Sequence, residues 1–228
     1  MSFQAQFVQT TFKGLLHILC KLDADQLKKV PQKGPLIVAV NHVNFLDLPV
    51  MHTHLYPRPI TGFVKADHWE KSIPRWLFET WNAIPLQRGE ADMAAIRRGL
   101  EALEQGKILG IAPEGTRTGD GRLQKAHPGI VIMALKSGAP ILPVAYWGGE
   151  VFWDNFPRLR RTDFHVGVGR PFRLDAGSMR VNREMRQQMA DAIMFQIANL
   201  LPPQYRGYYS DLSAANQTYL NFDPIQAS

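Results

Sequence analysis

Thiol chemistry is nearly missing from this chain: 228 residues contain one cysteine, Cys20. A lone cysteine excludes an internal disulfide framework and suits a reducing compartment. No group of cysteines and histidines stands at zinc-binding spacing. Long apolar runs are absent too. The run in "FKGLLHILCKL" is too short to span a bilayer, no small-residue cleavage site follows it, and Leu19 before Cys20 spoils a lipoprotein reading. There is no Gly-x-Ser-x-Gly elbow to carry a nucleophilic serine. Internal repeats are lacking, as is any linker long enough to split the chain. Acidic residues are outnumbered, 20 against 26 Lys and Arg, for a net charge of +6. That excess implies mild attraction to an anionic partner, whether nucleic acid, a phosphorylated ligand or an acidic membrane surface.

What is present reads as one domain with a sizeable core. Phe3, Phe7, Phe12, Leu15, Leu16, Leu19 and Leu22 recur at helical spacing, with Lys13 and Lys21 nearby. This amphipathic helix either packs on the domain or lies in a membrane interface. With the polar connector "KKVPQKG" it occupies residues 1–30, and residues 31–228 form the main domain with a C-terminal helix and tail. Short apolar runs then alternate with helical patterns. Strands are predicted over Leu36 to Val40, Ile60 to Val64, Ala83 to Leu86, Ile108 to Ala112, "ILPVAY" and "FHVGVG". Helices are predicted around Met93 to Leu103, closed by Gly106, in "GIVIMALKSG", and from Met185 to Leu201 before Pro202 and Pro203. The alternation predicts an α/β fold, a central largely parallel mixed sheet flanked by helices.

Ligands of such sheets sit outside the carboxyl ends of the strands, and three chemically loaded segments fall there. In "VAVNHVNFLDLP" an apolar strand ends on Asn41 and His42, and Asp47 follows five residues later. On a straight helix those two side chains stand roughly 140° apart, so they meet only if the chain bends between them. Asn44 offers the bend as an N-cap, with Asp47 at the third helical position. The pair is then either a capping box beside a solvated histidine or a working acid–base pair. Arg88 follows "AIPLQ". The segment "APEGTRT" follows "ILGI" and sets a carboxylate, a permissive glycine, a hydroxyl and a guanidinium in succession from Glu114 to Arg117. Gly115 permits close backbone approach, and Arg117 can hold phosphate bidentately; a turn with a surface ion pair is the plainer account.

Taken together, the segments resemble the glycerolipid acyltransferase family, which includes glycerol-3-phosphate and lysophosphatidic acid acyltransferases. "NHVNFLD" resembles its Asn-His-x-Ser-x-x-Asp block, "IPLQRG" its second block with a fixed arginine, "APEGTRT" its Phe-Pro-Glu-Gly-Thr-Arg-Ser block, and "ILPVAY" its proline-containing fourth block. "GDGRL" and "KAHPG" resemble the usual continuation. Asn44, Ala112 and Thr118 depart from the pattern without removing a group the chemistry requires.

The resemblance implies that His42 is the general base, taking a proton from an acceptor hydroxyl as it attacks an acyl thioester, and that Asp47 holds the other ring nitrogen. The substrate's alcohol is the nucleophile, so no covalent acyl-enzyme forms. Arg88 and Arg117 are implied to bind the acceptor's phosphate, helped by Gly115 and Thr116, with Glu114 orienting them or touching a glycerol hydroxyl. Lys65 is a further phosphate candidate or a solvated strand-end lysine, and Pro143 shapes the strand beside an acyl channel or packs the core. The implied acceptor is a lysophospholipid, first of all 1-acylglycerol-3-phosphate; a lyso-lipid derived from an amino acid is an alternative. The donor is acyl-CoA or an acyl-carrier-protein thioester, with no metal and no separate cofactor.

"WGGEVFWDNFPRLRR" interleaves aromatic residues with arginines and fits a headgroup interface, single-stranded nucleic acid, or a loop that merely covers the sheet. The lipid acceptor favours the first and argues against nucleic acid; it places the chain peripherally on the cytoplasmic face of a membrane. A non-catalytic lipid-binding module on that surface is the rival reading. "YRGYY" is expected to dock the last helix.

Overall fold

The segment Leu36–Val40 carries no polar side chain and is buried at every position, which is what a strand covered on both faces of a parallel sheet requires. The computed structural model describes residues 3–65, 79–86 and 92–222, with residues 3–5 and 65 described by their backbone alone. Helix α1 (Phe3–Leu19) leads into strand β1 (Cys20–Asp23), then β2 (Leu36–Val40), α2 (Asp47–Leu55), β3 (Ile60–Lys65), β4 (Ile84–Leu86) and α3 (Met93–Glu104). There follow β5 (Ile108–Ile111), α4 (Gly129–Ser137), β6 (Ile141–Trp147), α5 (Phe152–Asn155), β7 (Thr162–Val168), β8 (Arg173–Leu174), α6 (Arg183–Ala198) and β9 (Leu220–Asn221).

Seven strands form one sheet in the order β1-β7-β6-β2-β5-β3-β4. Five of them, from β6 to β4, run parallel, so their carboxyl ends share one edge. β7 is antiparallel to β6, and β1 lies parallel to β7. The sheet is thus mixed and mostly parallel, with the reversal confined to one side.

Alternation along the strands divides two cores. Ile37, Ala39, Leu109, Ile141 and Ala145 face a layer that includes Ile130 and Met133 of α4 and Ile193 and Ile197 of α6. Leu36, Val38, Val40, Ile108, Val144 and Tyr146 face the other layer, with Leu16 of α1 and Val50, Met51 and Leu55 of α2. A buried Leu, Ile or Val contributes about 1.5–3 kcal/mol, so the two layers supply the main stabilising term.

Three local expectations need correction. The apolar stripe of α1 does not run through Leu22: the helix stops at Leu19 and Cys20–Asp23 pairs with β7, Cys20 opposite Thr162. Helical periodicity cannot register a partner 142 positions away, and the pairing draws the N-terminal segment into the main sheet. Helix α2 starts at Asp47 after Leu46, not after a cap at Asn44. Asn44 instead makes a local turn, its Oδ1 accepting the Leu46 N–H at 2.8 Å while its amide donates to the Gly149 carbonyl at 2.5 Å. The last helix ends at Ala198, short of Leu201 and the two prolines.

The tail docks α6 as expected. Tyr209 is buried; its hydroxyl donates to Asp191 Oδ1 at 2.7 Å and accepts the Ala126 N–H at 3.0 Å. Pro143 packs: a Cβ at Gly169 would stand 2.7 Å from its ring, and its carbonyl accepts the Gly169 N–H. Among the described residues no helix is long and apolar enough to cross a membrane.

Candidate active site

Strand β2 ends at Val40 where its neighbour β6 continues to Trp147, and Asn41 closes the step. Its buried amide donates to the Tyr146 carbonyl at 2.8 Å and accepts the Tyr146 N–H at 2.7 Å, adding a side-chain rung to the β2–β6 pairing. The chain then turns and presents His42 at the carboxyl edge.

His42 Nδ1 lies 2.8 Å from Asp47 Oδ2. The same oxygen accepts the backbone N–H groups of Val43 at 2.8 Å and Asn44 at 3.1 Å. Three partners on one oxygen hold the buried carboxylate in a single orientation. With Nδ1–H directed at Asp47, Nε2 keeps its lone pair for an incoming proton. A bend at residues 43–46, with the helix beginning only at Asp47, brings the five-residue interval together. The Asn44 N–H bond to Asp47 closes this bend and caps no helix, since α2 begins after Leu46 without a side-chain cap.

The loop after β5 is stapled to this turn. The Thr118 N–H donates to the His42 carbonyl at 2.9 Å and the Gly119 N–H to the Val43 carbonyl at 3.3 Å. Glu114 is 2 % exposed; its Oε1 accepts the His42 N–H at 3.1 Å and its Oε2 the Gln124 N–H at 2.8 Å. Burial pushes its carboxyl up to about 7 against the pull of those two backbone donors, with the charges of Asp47 and Asp120 adding to the rise. Glu114, expected to orient the phosphate-binding groups or to touch a glycerol hydroxyl, lies under the site: each of its oxygens accepts a main-chain N–H, one of them that of His42, and it is not among the described residues that line the cavity.

Gly115 has φ +68, and a Cβ there would meet the His127 ring at 3.2 Å, so glycine serves both the turn and the contact. Arg117 is exposed and its Nε–H donates to His42 Nε2 at 3.4 Å. In front of these groups lies a cavity of about 840 Å³. Its polar end holds His42, Thr116, Arg117 and His127, and Phe12, Leu16 and Leu19 of α1 help form its apolar wall. That volume and that lining suit a ligand with a polar head and a long apolar body.

The structure therefore gathers His42, Asp47, Gly115, Thr116 and Arg117 at one edge, with Glu114 beneath them. Arg88 lies outside the described residues; Leu86 and Asp92, on either side of it in sequence, line the cavity. Lys65 closes β3 at the same edge of the sheet, and only its backbone is described. His127, which lines the cavity, and Asn41, which ties β2 to β6, join the site as well; a polar residue at a strand end or helix start was the sequence signal for each. Arg161 belongs to the scaffold: its Nη2 donates to the His17 carbonyl at 2.8 Å and the Cys20 carbonyl at 2.7 Å, closing the end of α1.

The profile of the Acyltransferase family matches residues 21–147, more than half of the chain. The chain belongs to the acyltransferase family. Among this chain's relatives is a lyso-ornithine lipid O-acyltransferase of Pseudomonas aeruginosa, 30% identical over 152 residues, covering 65% of this chain and 58% of that protein. A 1-acyl-sn-glycerol-3-phosphate acyltransferase of Bacillus subtilis is 24% identical over 143 residues, 63% of this chain and 71% of that one. Some relatives are longer: the match spans 38% of the chloroplastic 1-acyl-sn-glycerol-3-phosphate acyltransferase BAT2 of Brassica napus. The crystal structure of the 1-acyl-sn-glycerophosphate (LPA) acyltransferase PlsC from Thermotoga maritima superposes with a TM-score of 0.64 at 21% identity, over 86% of this chain and 78% of that chain. The acyltransferase family member described here shares that fold.

Proposed function

We propose that this protein transfers an acyl group from a thioester donor to a hydroxyl of a membrane lipid, with His42 as general base. The observation that carries the reading is the 2.8 Å contact of His42 with Asp47 beside a cavity of about 840 Å³ with mostly apolar walls. His42 Nε2 takes the acceptor's proton as its oxygen attacks the thioester carbonyl. The imidazolium, held by Asp47, then returns that proton to the departing thiolate, so the base is restored within one turnover. Arg117 yields its contact with Nε2 to an anionic acceptor group, placing the hydroxyl beside the base. The donor is acyl-CoA or an acyl-carrier-protein thioester.

The first acceptor is 1-acylglycerol-3-phosphate, read through a guanidinium at the polar end of the cavity and supported by the names of several relatives. A lyso-ornithine lipid is the second, favoured by the relative of that name.

The enzyme works at a membrane surface. Phe7, Leu15 and Ile18 of α1 are exposed, as are Trp153, Phe156 and Leu159 beyond β6. Phe45 joins the two: it lines the cavity with Phe12 and Leu15, and its ring packs on Trp153 at 5.2 Å. Exposed apolar side chains beside Lys13, Arg158 and Arg160 suit an anionic headgroup layer.

The test is release of free thiol from a long-chain acyl thioester, measured with and without each acceptor. Release that depends on a lyso-lipid, and that falls at least 100-fold in a folded His42→Ala variant, is the expected outcome. Lipid binding with no acceptor-dependent release across the panel would instead identify a binding module.

A further inference from the structure

Beside the His42–Asp47 pair, polar side-chain atoms are buried with no hydrogen-bond partner among the described residues. Asp47 Oδ2 receives three hydrogen bonds, yet Asp47 Oδ1 has none among the described residues. The hydroxyl of Tyr146 and the indole N–H of Trp81 are in the same condition. The three residues are 3 %, 0 % and 2 % exposed, and all of them line one small cavity of about 100 Å³ with His42, His52 and Thr61. A bare carboxylate oxygen in a dry pocket is costly, and so is an unpaired phenol. A cavity of this size has room for water, and the three orphaned groups supply the partners a buried water needs.

The geometry points to Tyr146 as a positioning residue of the acid–base pair: its hydroxyl donates to a water in this cavity, and that water donates to Asp47 Oδ1. The inference rests on the reading of His42 as base and adds the element beside it. Burial, with the charge of Asp47 second, keeps the phenol protonated and therefore a donor. The main chain of Tyr146 is pinned by Asn41, so the ring has a fixed origin on β6. Loading Oδ1 spreads the negative charge of Asp47 over both oxygens and weakens its hold on the His42 imidazolium. Tyr146 thus tempers the pull that Asp47 exerts on the imidazolium. Among the described residues, the other titratable or charged groups around the pair are His52 on α2, Glu114 through the His42 backbone, and Arg117 on Nε2. Burial lowers His52 to about 3, so it stays uncharged in this range.

The experiment is the Tyr146→Phe variant with histidine-labelled NMR titration of His42, alongside the pH profile of acyl transfer. The His42 titration is expected to move up by about half a unit to one unit, a three- to tenfold change in proton affinity, and the acid limb of kcat/KM to move with it. In an Asp47→Asn background the same Tyr146→Phe change is expected to leave His42 where it was. A merely structural tyrosine would lower the melting temperature and move neither midpoint. An unshifted His42 in folded Tyr146→Phe overturns the inference, as does a high-resolution crystal structure with a dry cavity. The NMR midpoint needs no turnover, so loss of the proposed activity and loss of this inference are separate results.

Discussion

Glu114→Gln is the most informative single change, because the substitution preserves shape and removes one acceptor. In the wild type, Oε1 and Oε2 each take a main-chain N–H, from His42 and Gln124. Glutamine offers one oxygen and one NH₂ group, so one buried N–H must face a donor. An unsatisfied buried group costs about 1–3 kcal/mol. The pH dependence separates this from any general loosening. Burial raises the Glu114 carboxyl from 4.5 to about 7, so between those values the folded state holds a proton that the unfolded state has lost. Wild-type stability is therefore fullest below about pH 4.5 and falls as pH rises to about 7, by about 3 kcal/mol from this group. Glutamine does not titrate. In urea unfolding, the stability of the wild type relative to the variant should fall by about 2.5 kcal/mol between pH 5 and pH 8, enough to cancel or reverse its advantage. Equal differences at the two pH values would refute the coupling of this carboxyl to the fold. Because the displaced N–H includes that of the base, acceptor-dependent turnover should also fall about tenfold for each 1.4 kcal/mol lost at the site.

Arg117→Ala should raise KM for a phosphorylated acceptor about tenfold or more while changing KM for an unphosphorylated one little; equal effects on both would remove phosphate recognition from this residue. Asn41→Ala should cost about 2–4 kcal/mol in urea unfolding, since it strands both main-chain groups of Tyr146. Replacing exposed Ile18 and Trp153 by aspartate should weaken flotation with vesicles of phosphatidylglycerol and phosphatidylethanolamine by about an order of magnitude, with the melting temperature unchanged. Binding as tight as the wild type would mean that this face does not meet the bilayer.

The strands were legible where local pattern suffices. The run Leu36–Val40 is apolar on both faces because helices cover both, and the stop at Gly138, with φ +61, follows from the freedom of glycine at a helix end. Elements defined by a distant partner were not. Cys20–Asp23 has a helical pattern in its own neighbourhood and becomes a strand only through β7, and nothing local marks β7 as the antiparallel member. The site divides in the same way. His42 and Asp47 are close in the chain, so their meeting needs one bend, which the residues between them can supply. Glu114 looks like a ligand-binding carboxylate in a polar motif, but its environment comes from two loops that sequence order does not join.

Taken alone, the amino-acid sequence determined the alternation of strand and helix, the edge at which the polar motifs emerge, and the residue types able to move a proton and hold an anion. It did so because hydrophobic period and short-range spacing are written within a few residues of one another. Only tertiary structure decided the strand order, the inward turn of Glu114, the wall that α1 adds to the cavity, and the place of Tyr146 beside Asp47. Those depend on which remote groups share a buried space, and the free energy of a buried polar atom is set by its neighbours in that space rather than by its neighbours along the chain.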